Sequence, residues 1–342
     1  MITRIAIAGA GAASPAGWGV SALRDAVAAG HALERTRIPP PRADHDDARA
    51  HEVLLVPRPM PNRTLAGHPR LRRASPISHF AAAAAIEAMD GNVPASPADG
   101  GPRIGIVYTL MNGCVGYSRR FFGEVLENPA TASPILFPET VFNAPASHLA
   151  AYLGVTGPVY TLIGDAAQFL NGLDLAAMWI ELALVDACLV VGAEESDWMT
   201  AEGLHLLGRG APAAEGAGCL LLTKPGTPGS RPADLVRHCA TTASARMAGA
   251  ASSRRDLGVL PEHTVLIDDH SGNRRVDAAT SATWADWAGE RISPLKILGN
   301  GMGASCAWQC ALATRQAAEI PPGTRVVVCT GGNQTTGALM VH

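Results

Sequence analysis

The sequence predicts a layered α/β fold in which buried sheets are covered by helices. Three observations carry this expectation. Short apolar runs alternate with helix-length segments along the chain. That alternation occurs twice, in two halves of similar rhythm. The composition is 47% hydrophobic but only 5% aromatic, with 36 glycines among 342 residues, which suits helices packed closely on sheets.

The elements follow in order. A strand is expected over Ile2 to Ala8, then a Gly/Pro turn and a helix near Val20 to Ala29. A proline-rich irregular stretch covers Ile38 to Pro69. The run HFAAAAAIEAM places a helix over Pro76 to Met89, before a strand at Arg103 to Tyr108. Ala144 to Leu153 reads as a helix, Val159 to Ile163 as a strand and Phe169 to Leu184 as a long helix. Strands at Ala187 to Val191 and Gly218 to Thr223 close the first half. In the second, strands are expected at Thr264 to Ile267, Arg325 to Thr330 and Gly337 to Val341. Helices are expected at Ala279 to Arg291 and Gly303 to Ala318, and Ala250 to Pro261 reads as a linker. The rhythm suggests an internal duplication, with one half over residues 1–225 and the other over 226–342.

Several function classes are disfavoured. A net charge of −3 supplies no basic field for nucleic acid. The clusters Arg70, Arg72, Arg73 and Arg274, Arg275 are short and read as solvated loop charges, of use at most to an acidic carrier protein. No apolar run reaches the roughly 18 residues of a membrane helix. The N-terminus reads as a strand rather than a signal peptide. Seven cysteines, an odd number without a CxxC pair, fit reduced thiols in a cytoplasmic protein. Cys306 and Cys310 lack the His or carboxylate neighbours of a metal site. AGAGAASPAG has no third glycine in the dinucleotide-binding register, so its glycines are read as allowing a tight turn.

The segment TLIGDAAQFLNG, Thr161 to Gly172, has the form of a nucleophile elbow: a strand, a turn at glycine and acid, and a helix. No nucleophile stands at the turn. Asp165 is placed to cap the helix, or to act as a general base if a closed cleft raises its pKa. Cys114, in LMNGCVGYSRR, is the alternative nucleophile, and His148 and His205 read as structural.

Several segments together resemble the β-ketoacyl synthases of the thiolase superfamily. AIAGAGAASPAGWGVSALRDAVAAG is similar to that family's first strand and helix, and RLRRASPISHFAAAAAIEA to its next helix. FNAPASHLAAYLGVTGPVYT resembles the approach to its nucleophile. DACLVVGAEE, AEGAGCLLLTKPG, KILGNGMGAS and CTGGNQTTGALMV follow in the family's order. The resemblance implies a five-layered αβαβα thiolase fold of two pseudo-duplicated halves, a dimer, and a cleft between the halves. There a cysteine at a helix N-terminus accepts an acyl group, and two further residues assist decarboxylation of a malonyl thioester.

Carried over residue by residue, the cysteine falls on Ala166, a vacant nucleophile position, and the first histidine on His270. The last catalytic position falls on Asn300, giving a His-Asn pair, and Lys296 matches a lysine of the elongating enzymes. The family pattern His-Gly-Thr-Gly-Thr is broken here, with Ser271 and Asn273 left to meet a pantetheine arm beside Gly331 and Gly332. Plainer readings remain open: His270 as a core or surface histidine, Asn300 as a turn residue of positive φ, Lys296 as an ion-pair partner.

The empty elbow has three readings. The chain is a chain-length-factor-like subunit of fatty-acid, polyketide or polyene biosynthesis, paired with a cysteine-bearing ketosynthase. It is an enzyme that handles acyl thioesters through His270, Asn300 and Asp165 without a covalent intermediate. Or it carries alanine in place of the cysteine of an active Cys-His-Asn enzyme, which the native codon for residue 166 would reveal. A non-catalytic scaffold that binds acyl carrier protein is a fourth possibility. The expected partners are acyl carrier protein and a second subunit, as homodimer or heterodimer. No bound cofactor is expected, and the substrate is a thioester of phosphopantetheine or coenzyme A.

Overall fold

A computed structural model describes residues 2–41, 49–91, 97–207, 210–319 and 324–342. The first half contains β1 (Ile2–Ser14), β2 (Gly17–Trp18), α1 (Val20–Ala29), β3 (Thr36–Ile38), β4 (His51–Val53), α2 (Arg63–Gly67) and α3 (Pro76–Ala88). It continues with β5 (Ile104–Leu110), α4 (Val115–Glu127), α5 (Ala144–Leu153), β6 (Val159–Ile163), α6 (Gln168–Glu181), β7 (Ala187–Glu194), α7 (Trp198–Leu207) and β8 (Gly216–Thr223). The second half contains β9 (Arg231–Cys239), α8 (Ala243–Asp256), β10 (Val265–Ile267), α9 (Arg274–Thr283) and β11 (Arg291–Ile292). It ends with α10 (Leu295–Leu298), α11 (Ser305–Glu319), β12 (Val326–Gly331) and β13 (Thr335–Val341).

Duplication is explicit in the strand order. The first half runs β6-β5-β7-β8-β1 and the second β11-β10-β12-β13-β9. In chain order both read third, second, fourth, fifth, first. The pairings match as well: β5 lies parallel to β6 and β7, as β10 does to β11 and β12. β8 and β13 run antiparallel to both of their neighbours. β1 then pairs antiparallel with β9 over Ile2 to Ile7, which joins the halves.

Two helices lie between the halves. α6 packs on β5 and β7 of the first and on β9 and β13 of the second, and α11 packs on β8 and β1 and also on β12. Phe169, Leu170 and Leu173 of α6 share this central core with Trp308 and Leu312 of α11. α3 and α5 cover the outer face of the first half, burying Ile77, Phe80 and Leu149 against Ile106 and Tyr108. α8 and α9 cover the second, where Leu257 and Trp284 meet Val236 and Val327. The layers therefore run α, β, α, β, α.

Small residues set the layer spacing. Gly9 and Gly11 lie in the middle of β1, not in a turn as expected, and a Cβ on either would collide with the backbone carbonyl oxygens of Ala88 and Ala84. The alanine run of α3 and these glycines thus bring helix and strand into backbone contact. On the other face, Cβ atoms at Gly192 and Gly218 would stand 2.8 and 2.7 Å from Ala307 Cβ of α11. Trp308 Nε1 donates to the carbonyls of Ala13 and Ala217, both at 3.0 Å, tying α11 to two strands of the first half.

The elements differ from expectation in the second half. Ala250 to Pro261 is not a linker, because α8 runs through Asp256. Its described buried residues are only Gly249 and Ser253, so it shows no apolar stripe to find in the sequence. The helix expected over Ala279 to Arg291 instead spans α9 and stops at Thr283, before the strand β11. β9, a central strand, went unseen because Arg231, Pro232, Asp234 and Arg237 disguise it.

Gly11→Ala is expected to lower stability by about 3 kcal/mol in urea denaturation, since neither backbone can yield. Gly123→Ala, in α4 with open space around it, is expected to raise stability by roughly 0.5–1 kcal/mol.

Candidate functional site

The parallel strands β5, β6, β10 and β12 end around one cavity of about 540 Å³. Met111 follows β5, Asp165 and Ala166 follow β6, Asp269 follows β10, and Gly331 and Gly332 stand at the end of β12, all lining it. The carboxyl ends of parallel strands are where open α/β sheets place their ligands.

Ala166 stands just before α6, whose N-cap is Ala167 with no side-chain cap. The N–H groups of Ala166 and Ala167 find no acceptor among the described residues. The expectation that Asp165 caps the helix is not met. Its backbone carbonyl accepts from Gln168 N–H at 3.0 Å, but its carboxylate reaches across to Asn333 N–H at 2.5 Å. Asp165 Oδ1 is buried and has no partner among the described residues. The carboxylate lies so close over Gly332 that no side chain would fit there.

Successive side chains at the end of β10 point to opposite sides, and this decides between Asp269 and His270. His270 Nδ1 lies 2.6 Å from Asp268 Oδ2 and its Nε2 lies 2.8 Å from Ser281 Oγ on α9. The Asp268 hydrogen bond raises its pKa. His270, the expected catalytic histidine, is not on the cavity wall. Asp269 is. Its Oδ2 accepts Gly331 N–H at 2.7 Å, and its Oδ1 is buried without a partner among the described residues. Burial pushes its pKa up to about 6. The signal was present in the sequence: aligning Ser271-Gly272-Asn273 with Thr-Gly-Thr, instead of anchoring on the histidine, puts Asp269 first.

Ser271 and Asn273 both line the cavity. Asp277 holds their loop, accepting from Ser271 N–H at 3.0 Å and Gly272 N–H at 2.9 Å. Asn300 also lines it, pinned on both sides of its backbone: its N–H donates to Pro212 O at 2.8 Å and its carbonyl accepts from Ala214 N–H at 2.9 Å. Its Oδ1 accepts from Met302 N–H at 2.9 Å, which leaves Nδ2 as a donor. The positive φ values of this loop fall on Gly299 and Met302 and not on Asn300. Lys296 is exposed and does not line the cavity; its neighbour Leu295 does.

Glu194, at the end of β7, was not anticipated. Its buried carboxylate accepts from the N–H groups of Met111, Asn112 and Gly113 at 2.8, 3.0 and 3.2 Å, and so fixes the Met111 wall. Burial pushes its pKa up to about 8. Cys114 is buried, and desolvation together with Glu195 pushes its thiol well above the ordinary range, which removes it as a nucleophile. Among the described residues no cluster of His, Cys, Asp and Glu could hold a metal, and no helix is long and apolar enough to cross a membrane.

The family model for the β-ketoacyl synthase N-terminal domain matches residues 3–209. Among solved structures, the chain is similar to the ishigamide ketosynthase/chain length factor, at 22% identity and TM-score 0.78, covering 99% of this chain and 98% of that one. A ketosynthase in complex with its chain length factor from Xenorhabdus doucetiae gives 18% identity and TM-score 0.73, covering 99% and 98%. A type II PKS acyl-carrier protein in complex with its ketosynthase gives 17% and 0.76, covering 100% and 99%. No curated protein matches the sequence.

The raised Asp269 pKa fixes the sign of a stability effect. The folded value lies above the unfolded one, so this contribution is full below about pH 4 and is lost as pH rises through about 6. Asn at this position keeps an acceptor for Gly331 N–H. Asp269→Asn is therefore expected to abolish a loss of about 3 kcal/mol between those limits, read from urea denaturation against pH.

Proposed function

Because the chain belongs to the β-ketoacyl synthase family, we propose that it is a chain-length-factor-like subunit that works beside a cysteine-bearing ketosynthase. The observation that carries this reading is the methyl group of Ala166 at the start of α6, inside the cavity. Condensation through an acyl-enzyme needs a thiolate at such a place, and a methyl group forms no thioester. Asp269 supports the same conclusion. A carboxylate there, in place of an imidazole, repels the carboxylate of a malonyl group and the enolate formed from it.

The exposed edge of the first half suits a partner. β6 ends the sheet with Val159, Tyr160 and Ile163 exposed, and Met178 of α6 and Leu182 just after it are exposed as well. An apolar sheet edge of this kind favours pairing with another chain. Two of the similar structures are ketosynthase and chain-length-factor assemblies, and a third holds an acyl-carrier protein. We read the same arrangement here, with a carrier protein delivering the pantetheine thioester. Ser271, Asn273, Gly331 and Gly332 would then meet any pantetheine arm that enters this cavity.

Co-purification from the native host tests this role. A stable one-to-one complex with a cysteine-bearing ketosynthase is expected, and a strict homodimer overturns the reading. Tyr160→Arg is expected to weaken the complex at least about 30-fold, with the circular dichroism spectrum unchanged, as for a central interface residue.

A further inference from the structure

The cavity holds more than an empty elbow. Asp269 is 5% exposed. Gly331 N–H holds its Oδ2 on one side. Its Oδ1 is buried with no partner among the described residues, and the residue lines the cavity. This is a carboxylate oriented by its surroundings with one oxygen left for a ligand. Two donors stand in the same cavity wall. Asn300 Nδ2 is set as a donor because its Oδ1 is occupied by Met302 N–H. The N–H of Ala166, which lines the cavity, is unused just before a helix of 14 residues, where the helix dipole favours negative charge.

We propose that this cavity hydrolyses acyl thioesters by direct attack of water, with Asp269 as the general base and Asn300 and the Ala166 N–H as the oxyanion donors. Asp269 Oδ1 removes a proton from water as the water oxygen bonds to the thioester carbonyl carbon. Negative charge passes to the carbonyl oxygen, which receives hydrogen bonds from Asn300 Nδ2 and the Ala166 N–H. The carbonyl re-forms, the C–S bond breaks, and the departing sulfur takes the proton held by Asp269. The products are a carboxylic acid and a thiol. No oxidant or reductant enters, and no bond to the protein forms. The activity goes beyond the partner role: it would release acyl groups that reach this subunit, while the partner condenses its own.

Several groups surround the base. Asp268 of its own loop and Asp277 of α9 both raise its pKa. Arg246 of α8 approaches Gly331 beside it, and the Cys306 and Cys329 thiols face it from α11 and β12. Asp165 stands on the other side of the Gly331–Asn333 turn.

The test uses the purified full chain, alone and in complex with its ketosynthase, and a ladder of acyl-pantetheines from acetyl to dodecanoyl. Thiol release is followed with a thiol reagent. Expected are turnover that rises with pH through about 6, one labelled oxygen in the acid from labelled water, and no acyl adduct on the protein by mass spectrometry. Asp269→Asn should cut turnover at least about 100-fold, leave KM unchanged and remove the rising limb. Lys296→Ala should match the parent. No release from any thioester, or full release by Asp269→Asn, overturns the proposal. A chain that binds its ketosynthase but releases no thiol refutes hydrolysis alone; one that releases thiol but binds no ketosynthase refutes the partner role alone.

Discussion

The site depends on how closely α11 approaches the first half of the sheet. Gly192 and Gly218 have no side chains to hold off Ala307, and Trp308 anchors the helix to the carbonyls of Ala13 and Ala217. The loop before α11 is thereby pressed against β7 and β8. Gly303 abuts both Leu110 and Ala193 with no room for a Cβ. Asn300, held to Pro212 and Ala214, inherits its place in the cavity from that packing. A bulkier residue at the helix contact would move the polar groups by moving the layer that carries them.

Carboxylates complete what packing begins. Glu87 accepts from Ala12 and Val20 N–H, Glu195 from Ile77 and Gly116 N–H, and Glu194 from the three amides after β5. In each case an acid at or next to the end of one element satisfies backbone donors of a strand, a first helical turn or a loop that the regular ladders leave over. Asp165 and Asp269 do the same for the Gly331–Asn333 turn, but each spends only one oxygen on it. The difference separates structure from chemistry. A fully engaged carboxylate is a fastening, and a half-engaged one beside a cavity keeps a lone pair for a ligand.

Much of this was legible in the sequence. α1 and α5 are bounded where capping glycines and apolar spacing put them, with Gly30 and Gly154 left-handed at their ends. The alternation of strand and helix was enough to suggest the duplication. What failed did so for identifiable reasons. α8 buries small residues, so it shows no apolar face. β9 carries its charges and a proline through the middle of the sheet. Of the positions singled out, Ala166, Asn300, Ser271 and Asn273 line the cavity, whereas His270 and Lys296 do not and each stands next to a residue that does. On a strand, a displacement of one residue exchanges faces. Side-chain identity drew attention to the histidine, and the neighbouring acid, chemically less expected, held the inward position.

The bridging role of β1 bears on how the chain is assembled. Its first residues hydrogen-bond to β9, Ile2 opposite Val236, while its later residues pair with β8. During synthesis β1 leaves the ribosome long before either neighbour exists. Until Cys239 has emerged, the stretch Ile2 to Ile7 that joins the two halves keeps an open edge. The duplicated architecture therefore leaves the first half with an unpaired strand edge for as long as the second has not begun.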